Sequence, residues 1–173
     1  VSSEHGLNIG MRHISLSTCG VVDKIYDLAD RRLQLTLSVS LHAPNDSIRS
    51  QTMPVNRKWS VDELLKACRY YSEQTHRRIS FEYAMISGVN DSDACAKELA
   101  GKLRGTLSHI NLIPVNQVTG TGYHSASVER QRAFIRILEK SGLTATVRRT
   151  LGSDINASCG QLRRRQQEEV TGL

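Results

Sequence analysis

The sequence predicts an α/β fold, a parallel sheet or part of a barrel with helices packed over its outer side. Three observations carry this reading. Short apolar and β-branched runs alternate with amphipathic stretches along most of the chain, and the order is strand then helix throughout. Five such units follow one another, fewer than the eight of a complete barrel. The chain begins at Val1 and regular structure begins almost at once, so it reads as the later part of a barrel and as a piece of something longer.

The elements follow in order. "HISLS" (His13 to Ser17) is a short strand, and "VVDKIYDLAD" after it is helical. "LQLTLSVSL" (Leu33 to Leu41) is the clearest strand, rich in β-branched and apolar residues. A Pro-Asn-Asp turn leads to a short helix from Asp46, whose acid suits the first turn. Ser60, with Glu63 three residues on, forms a capping-box signature for the next helix. Val61, Leu64, Leu65, Cys68 and Tyr71 recur at spacings of three and four, which buries one face of it. "RISFEYAMI" (Arg78 to Ile86) is a strand with "GVND" as its exit loop. "SDACAKELAGKL" is helical, and "SHINLIPVN" is a strand ending around Pro114 and Asn116. The glycine-containing loop "TGTGYHSAS" opens into the helix "VERQRAFIRILEKSG", stopped by Gly142, and "TATVRRT" is the last strand.

Composition narrows the function classes. The 173 residues suffice for one domain with a real core, and 39% of them are hydrophobic. No apolar run approaches the ~20 residues that span a bilayer. Four dispersed cysteines (Cys19, Cys68, Cys95 and Cys159) form no C-x-x-C pair, and nothing resembles a signal peptide. Free thiols in a reducing cytoplasm are therefore expected. A formal charge of +6 suits a polyanionic partner, while aromatics at 5% argue against a platform for stacking bases. The basic pairs Arg31-Arg32, Arg57-Lys58, Arg77-Arg78 and Arg148-Arg149, and the run Arg163 to Arg165, are solvated surface or phosphate contacts.

In parallel α/β folds, working residues gather at the carboxyl ends of the strands. Those ends carry "STCG" (Ser17 to Gly20), "SLHAPND" (Ser40 to Asp46), Glu82 then "GVND", "IPVN" with Asn116, and "RTLGSDINASCGQL". Each has an ordinary turn-forming explanation; their succession suits a polar cofactor. Glu82, among apolar neighbours, is expected to face inward, either paired or with a raised pKa. Cys68 and Cys95 sit at apolar helical positions and read as core, while Cys19, in a turn, stays ambiguous. Cys159 lies beyond the last strand between Ser158 and Gly160, just ahead of three arginines. Its residues alone leave it open between a space-filling thiol and a nucleophile favoured as thiolate.

In order, "RHISLSTCG", "LSVSLHAPNDSIRSQTMPVNRKW", "FEYAMISGVNDS", "INLIPVN" and "VRRTLGSDINASCGQLR" resemble the radical SAM adenosine C2-methyltransferases of 23S rRNA. The resemblance runs from about Leu7 to Arg165 and corresponds to roughly the later half of such an enzyme. It implies a partial barrel domain over residues 1–165 and a polar tail over 166–173. It also implies S-adenosylmethionine and a 4Fe–4S cluster as cofactors. By motif, Ser17, Ser40, Leu41, His42 and Asn116 match cofactor-contacting positions, and Cys159 matches the cysteine that is itself methylated. In the implied mechanism, the Cys159 thiolate takes a methyl group from one S-adenosylmethionine. A second one, cleaved reductively at the cluster, gives the radical that activates that methyl for addition to adenine. The implied partners are 23S rRNA, with tRNA as a second substrate, and an electron donor; the implied state is a cytoplasmic monomer without membrane attachment. The C-x-x-x-C-x-x-C motif, the Gly-Glu motif, the resolving cysteine and the general base lie upstream in the family and are not in this sequence. The 173-residue chain alone is therefore expected to hold no cluster and to be inactive. Cys19 stands where many relatives have serine, and Asp23 where many have proline. The alternatives are the related carbon-8 methyltransferase, which shares "CGQL" and "SLH", and a non-catalytic RNA-binding barrel fragment.

Overall fold

The structure, a computed structural model, describes residues 2–115 and 122–148. Among these residues, five strands, β1 (Ser15–Thr18), β2 (Thr36–Ser40), β3 (Ile79–Met85), β4 (Ser108–Pro114) and β5 (Thr144–Val147), form one sheet in sequence order. All neighbouring pairs are parallel. The connections carry α1 (Val22–Asp30), α2 (Asp46–Thr52), α3 (Val61–Thr75), α4 (Asp93–Leu103) and α5 (Val128–Lys140). The expected strand–helix alternation and parallel sheet are thus observed.

The register sorts the strands into two faces. One carries Leu37, Val39, Ile79, Phe81, Tyr83, Met85, Ile110, Leu112 and Ala145, all buried. These pack with Ile25, Leu64, Tyr71, Leu99, Phe134 and Leu138 from the helices in one core. Fully burying each valine, leucine, isoleucine, phenylalanine or methionine among them is worth about 1.5–3 kcal/mol. The other face carries Ser15, Ser17, Thr36, Ser38, Ser40, Ser80, Glu82, His109, Asn111, Thr144 and Thr146, with Ala84 and Ile113 as apolar members toward the carboxyl ends of β3 and β4. A closed barrel fills that side with branched apolar layers; this sheet lines it with hydroxyl, amide, imidazole and carboxylate groups.

Local signals set the boundaries. Both halves of the capping box form at α3, between Ser60 and Glu63. Asn45 caps α2 through Ile48 N–H, and Gly142, with φ +79°, follows α5 as the expected stop. Two expected boundaries differ. The first strand starts at Ser15, because Met11–His13 winds into a single 3-10 turn. The second starts at Thr36: the Leu35 carbonyl accepts from Tyr71 Oη and Arg77 Nε, so side chains take the place of a ladder partner.

Candidate cofactor-binding site at the strand ends

The carboxyl end of β1 turns at Gly20, whose N–H donates to Thr18 Oγ1 at 3.1 Å. Gly20 is buried with φ +102°, and a Cβ there would sit 3.0 Å from Leu64 Cδ2 and 3.1 Å from Arg49 Nη2. Only glycine fits both the backbone and the space. Ser17 lies one turn of the pleat earlier on the polar face, in register with Ser38. Cys19 is an exposed free thiol.

The end of β2 is held by Arg49, which has no exposed surface. Its Nε donates to Leu41 O (3.0 Å), Nη2 to Cys19 O (2.8 Å) and Ser40 O (3.0 Å), and Nη1 to Asn56 Oδ1 (3.0 Å). Asn56 in turn donates to Asp46 Oδ1 and Ser50 Oγ, and Asp46 Oδ1 also accepts Val61 N–H at the start of α3. Burial pushes the guanidinium down from its ordinary pKa. Arginine nonetheless remains charged in proteins, and carbonyl oxygens solvate the charge.

His42 follows with φ +58°, a left-handed conformation uncommon outside glycine. Its Nδ1 accepts the Ala84 N–H at 3.0 Å. Burial, aided by the Arg49 charge, pushes the ring's pKa down to about 4, so it is neutral at physiological pH. With Nδ1 accepting, Nε2 carries the hydrogen. Asn90 locks this corner: its Nδ2 donates to His42 O and Ala84 O, both at 2.7 Å, and its Oδ1 accepts Ile86 N–H at 2.7 Å. Asn90→Ala strips a buried corner of three hydrogen bonds, and we expect a cost of about 3 kcal/mol in urea unfolding. A loss no larger than that of an exposed asparagine would contradict this account.

On the polar face, Ser40, Glu82, Asn111 and Thr146 share one register layer. Glu82 accepts from Ser80 Oγ (3.1 Å) and Asn111 Nδ2 (2.7 Å), so it faces inward and is paired. His109 Nδ1, on the same face, is buried with no hydrogen-bond partner among the described residues.

Of the residues singled out from sequence, Ser17 and Ser40 lie on the polar face near the carboxyl ends of the adjacent strands β1 and β2, and His42 follows two residues after Ser40. The Leu41 side chain is fully buried in the core, and its N–H and C=O are engaged by Glu82 and Arg49. Asn116 and Cys159 lie outside the described residues. Cys68 and Cys95 are buried as expected, and burial pushes the Cys68 thiol up to about 12, which makes it unreactive. Arg49 and Asn90 were missed. "GVND" reads as a plain turn, and Arg49 as one more surface charge, although its spacing of four from Met53 hints at a shared face.

A cavity of about 360 Å³, floored by Leu65, Cys68, Ile79 and Phe81 and rimmed by Arg69 and Arg104, lies at the amino ends of β3 and β4. It is at the opposite end of the strands from the residues above. Among the described residues, no three His, Cys, Asp or Glu converge as a metal site. No helix among them is long and apolar enough to cross a membrane.

No family model matches the chain. It is 57% identical over 165 residues to a probable dual-specificity RNA methyltransferase of Clostridium tetani, covering 95% of this chain and 47% of that protein. A protein of the same name from Thermoanaerobacter sp. is 54% identical over 169 residues, covering 98% and 49%. A solved radical SAM methyltransferase from Sphaerobacter thermophilus superposes with TM-score 0.88 at 51% identity, over 92% of this chain and 47% of that one. A domain of a pyruvate-formate lyase-activating enzyme from Bacteroides vulgatus, 20% identical with TM-score 0.61, shares the fold. The chain spans about half the length of the curated relatives it matches. In sequence over nearly its whole length, and in fold, it belongs to the family of these methyltransferases.

Proposed function

We propose that this chain supplies the S-adenosylmethionine-binding strand ends of a radical SAM methyltransferase that methylates carbon 2 of an adenosine in 23S rRNA. The observation that carries the reading is the polar sheet face with Ser17, Ser40 and His42 at neighbouring strand ends. The residues present fit the cofactor. Hydroxyls, a paired carboxylate and a fixed Nε2–H donor match its ribose, adenine and amino-acid groups, and His109 Nδ1, buried without a hydrogen-bond partner among the described residues, lies on the same face. When bound, S-adenosylmethionine supplies an electrophilic methyl group. The described residues do not fit a 4Fe–4S cluster, since they offer no converging thiolates, and its ligands are assigned to the part of the relatives that this chain does not span.

Within the chain, Ser17 and Ser40 orient the cofactor from the polar face, and His42 donates from a ring that stays neutral down to about pH 4. Asn116 extends the same set, and Cys159 accepts the methyl group on its sulfur before transfer to RNA. The run Arg163 to Arg165 favours the Cys159 thiolate and approaches phosphate. The same reading assigns tRNA as a second substrate, an external electron donor for the cluster, and a monomer acting in the cytoplasm. The motifs "SLHAPND" and "LIPVN" favour carbon 2 over carbon 8.

Peptide mass spectrometry of the full-length protein purified with its cofactors tests the role of Cys159. One methyl on the Cys159 peptide is the expected result. An unmodified thiol, in a preparation that methylates RNA, would overturn that role. Mass spectrometry of the product nucleoside locates the methyl: carbon 8 would move the chain to the alternative enzyme, and no methylation would favour a non-catalytic RNA-binding barrel.

A further inference from the structure

We infer that Arg49 is a positioning residue of this strand-end site, acting through His42: by taking the carbonyl oxygens that end β1 and β2, it leaves the Ala84 N–H to the imidazole and so fixes the ring. The inference rests on the cofactor reading above for its consequence, but not for its geometry.

The sheet pattern shows what Arg49 displaces. Ser40 pairs with Glu82, and Leu41 N–H donates to Glu82 O at 3.0 Å. In a parallel ladder the next bond runs from Ala84 N–H to Leu41 C=O. Here the Leu41 carbonyl goes to Arg49 Nε, and the Ala84 N–H goes to His42 Nδ1, both at 3.0 Å. The exchange is paired: each partner of the missing ladder bond receives a side chain instead. The left-handed backbone at His42 turns the ring onto Ala84, and the Asn90 amide clamps both carbonyls of that corner.

Arg49 is suited to this by shape. Its planar fork meets carbonyls from both strand exits at once, which a lysine ammonium on a flexible stem cannot do. The fork is itself aimed, because Asn56 is held by Asp46 and Ser50. If the position needed only filling, an apolar residue would serve without the cost of burying a charge. The carbonyls of Cys19, Ser40 and Leu41 belong to the two segments that carry Ser17 and His42, so the guanidinium sets both.

The test uses the full-length protein with ¹⁵N-labelled histidine and Arg49→Lys. In the wild type, the His42 nitrogen shifts should report a neutral ring with the hydrogen on Nε2. In Arg49→Lys, with circular dichroism unchanged, the Ala84 N–H returns to Leu41 and the ring loses that fixed tautomer. S-adenosylmethionine affinity, read by calorimetry, should then fall about tenfold, the equivalent of one lost hydrogen bond. A wild-type ring protonated on Nδ1 overturns the inference without any variant, which covers an Arg49→Lys protein that fails to fold. An unchanged tautomer in a folded variant overturns it as well, as does unchanged affinity. A wild-type protein that binds no S-adenosylmethionine sinks the cofactor reading, while the tautomer result still judges Arg49.

Discussion

Arg49→Met is expected to lower the folding free energy by about 4 kcal/mol, the scale seen when a buried, fully hydrogen-bonded charge is removed and its partners are left behind. Methionine matches the aliphatic stem, so little packing is lost. What remains are the carbonyls of Cys19 and Ser40 and the Asn56 amide oxygen, each without its donor in a site closed to water, while the Leu41 carbonyl regains a donor only by taking the Ala84 N–H from His42. The damage reaches beyond one helix, because Asn56 and Asp46 link Arg49 to the start of α3. Arg69→Met provides the control: Arg69 is exposed and donates to Lys102 O at 2.7 Å, and an exposed contact of that kind is worth less than about 1 kcal/mol. Urea-unfolding midpoints of the two variants should differ severalfold in their shift. Equal shifts would mean that the carbonyls find water or new partners, and the structural role assigned to Arg49 would be wrong.

The contrast between these two arginines explains what the sequence discloses and what it conceals. Strands and helices announce themselves through neighbours: the capping box at Ser60 and Glu63, the spacing of Leu64, Leu65, Cys68 and Tyr71, and the β-branched run of β2 are all local. The polar sheet face was half visible, since Ser17, Ser40 and Glu82 stand out within otherwise apolar runs. Arg49 and Asn90 act across the fold. Arg49 joins Cys19, 30 residues away, and Asn90 joins His42, 48 residues away. In the sequence they are a charge in a short helix and an amide in a turn, which is how such residues behave when they are exposed. Burial changes their meaning, and burial at a strand end depends on the register of other strands. The start of β2 is hidden for the same reason, because the Leu35 carbonyl is claimed by Tyr71 and Arg77 from another part of the chain.

His42 makes the stability of the fold sensitive to acid, in a direction that follows from its environment. The ring's pKa in the folded protein is about 4, against an ordinary value of 6.5, with burial as the first cause and the Arg49 charge as the second. Between those values the unfolded chain binds a proton that the folded chain refuses. The contribution is therefore fully present above pH 6.5 and is lost progressively as pH falls toward 4. At 1.36 kcal/mol per pKa unit, its full extent is about 3 kcal/mol. Protonation would also turn Nδ1 from an acceptor into a donor facing the Ala84 N–H, so the corner held by Asn90 opens with it. His109 is shifted in the same direction by burial and adds a parallel loss. His42→Asn separates the two: Oδ1 can still accept the Ala84 N–H, asparagine tolerates the left-handed backbone, and nothing at the position titrates. Urea midpoints measured from about pH 7 down to about pH 4.5 should show the wild type losing some 2–3 kcal/mol more than His42→Asn. Two parallel profiles would mean that the ring is either charged or solvated in the folded protein. In both cases it would not be the neutral ring, accepting the Ala84 N–H at Nδ1, that the strand-end geometry shows.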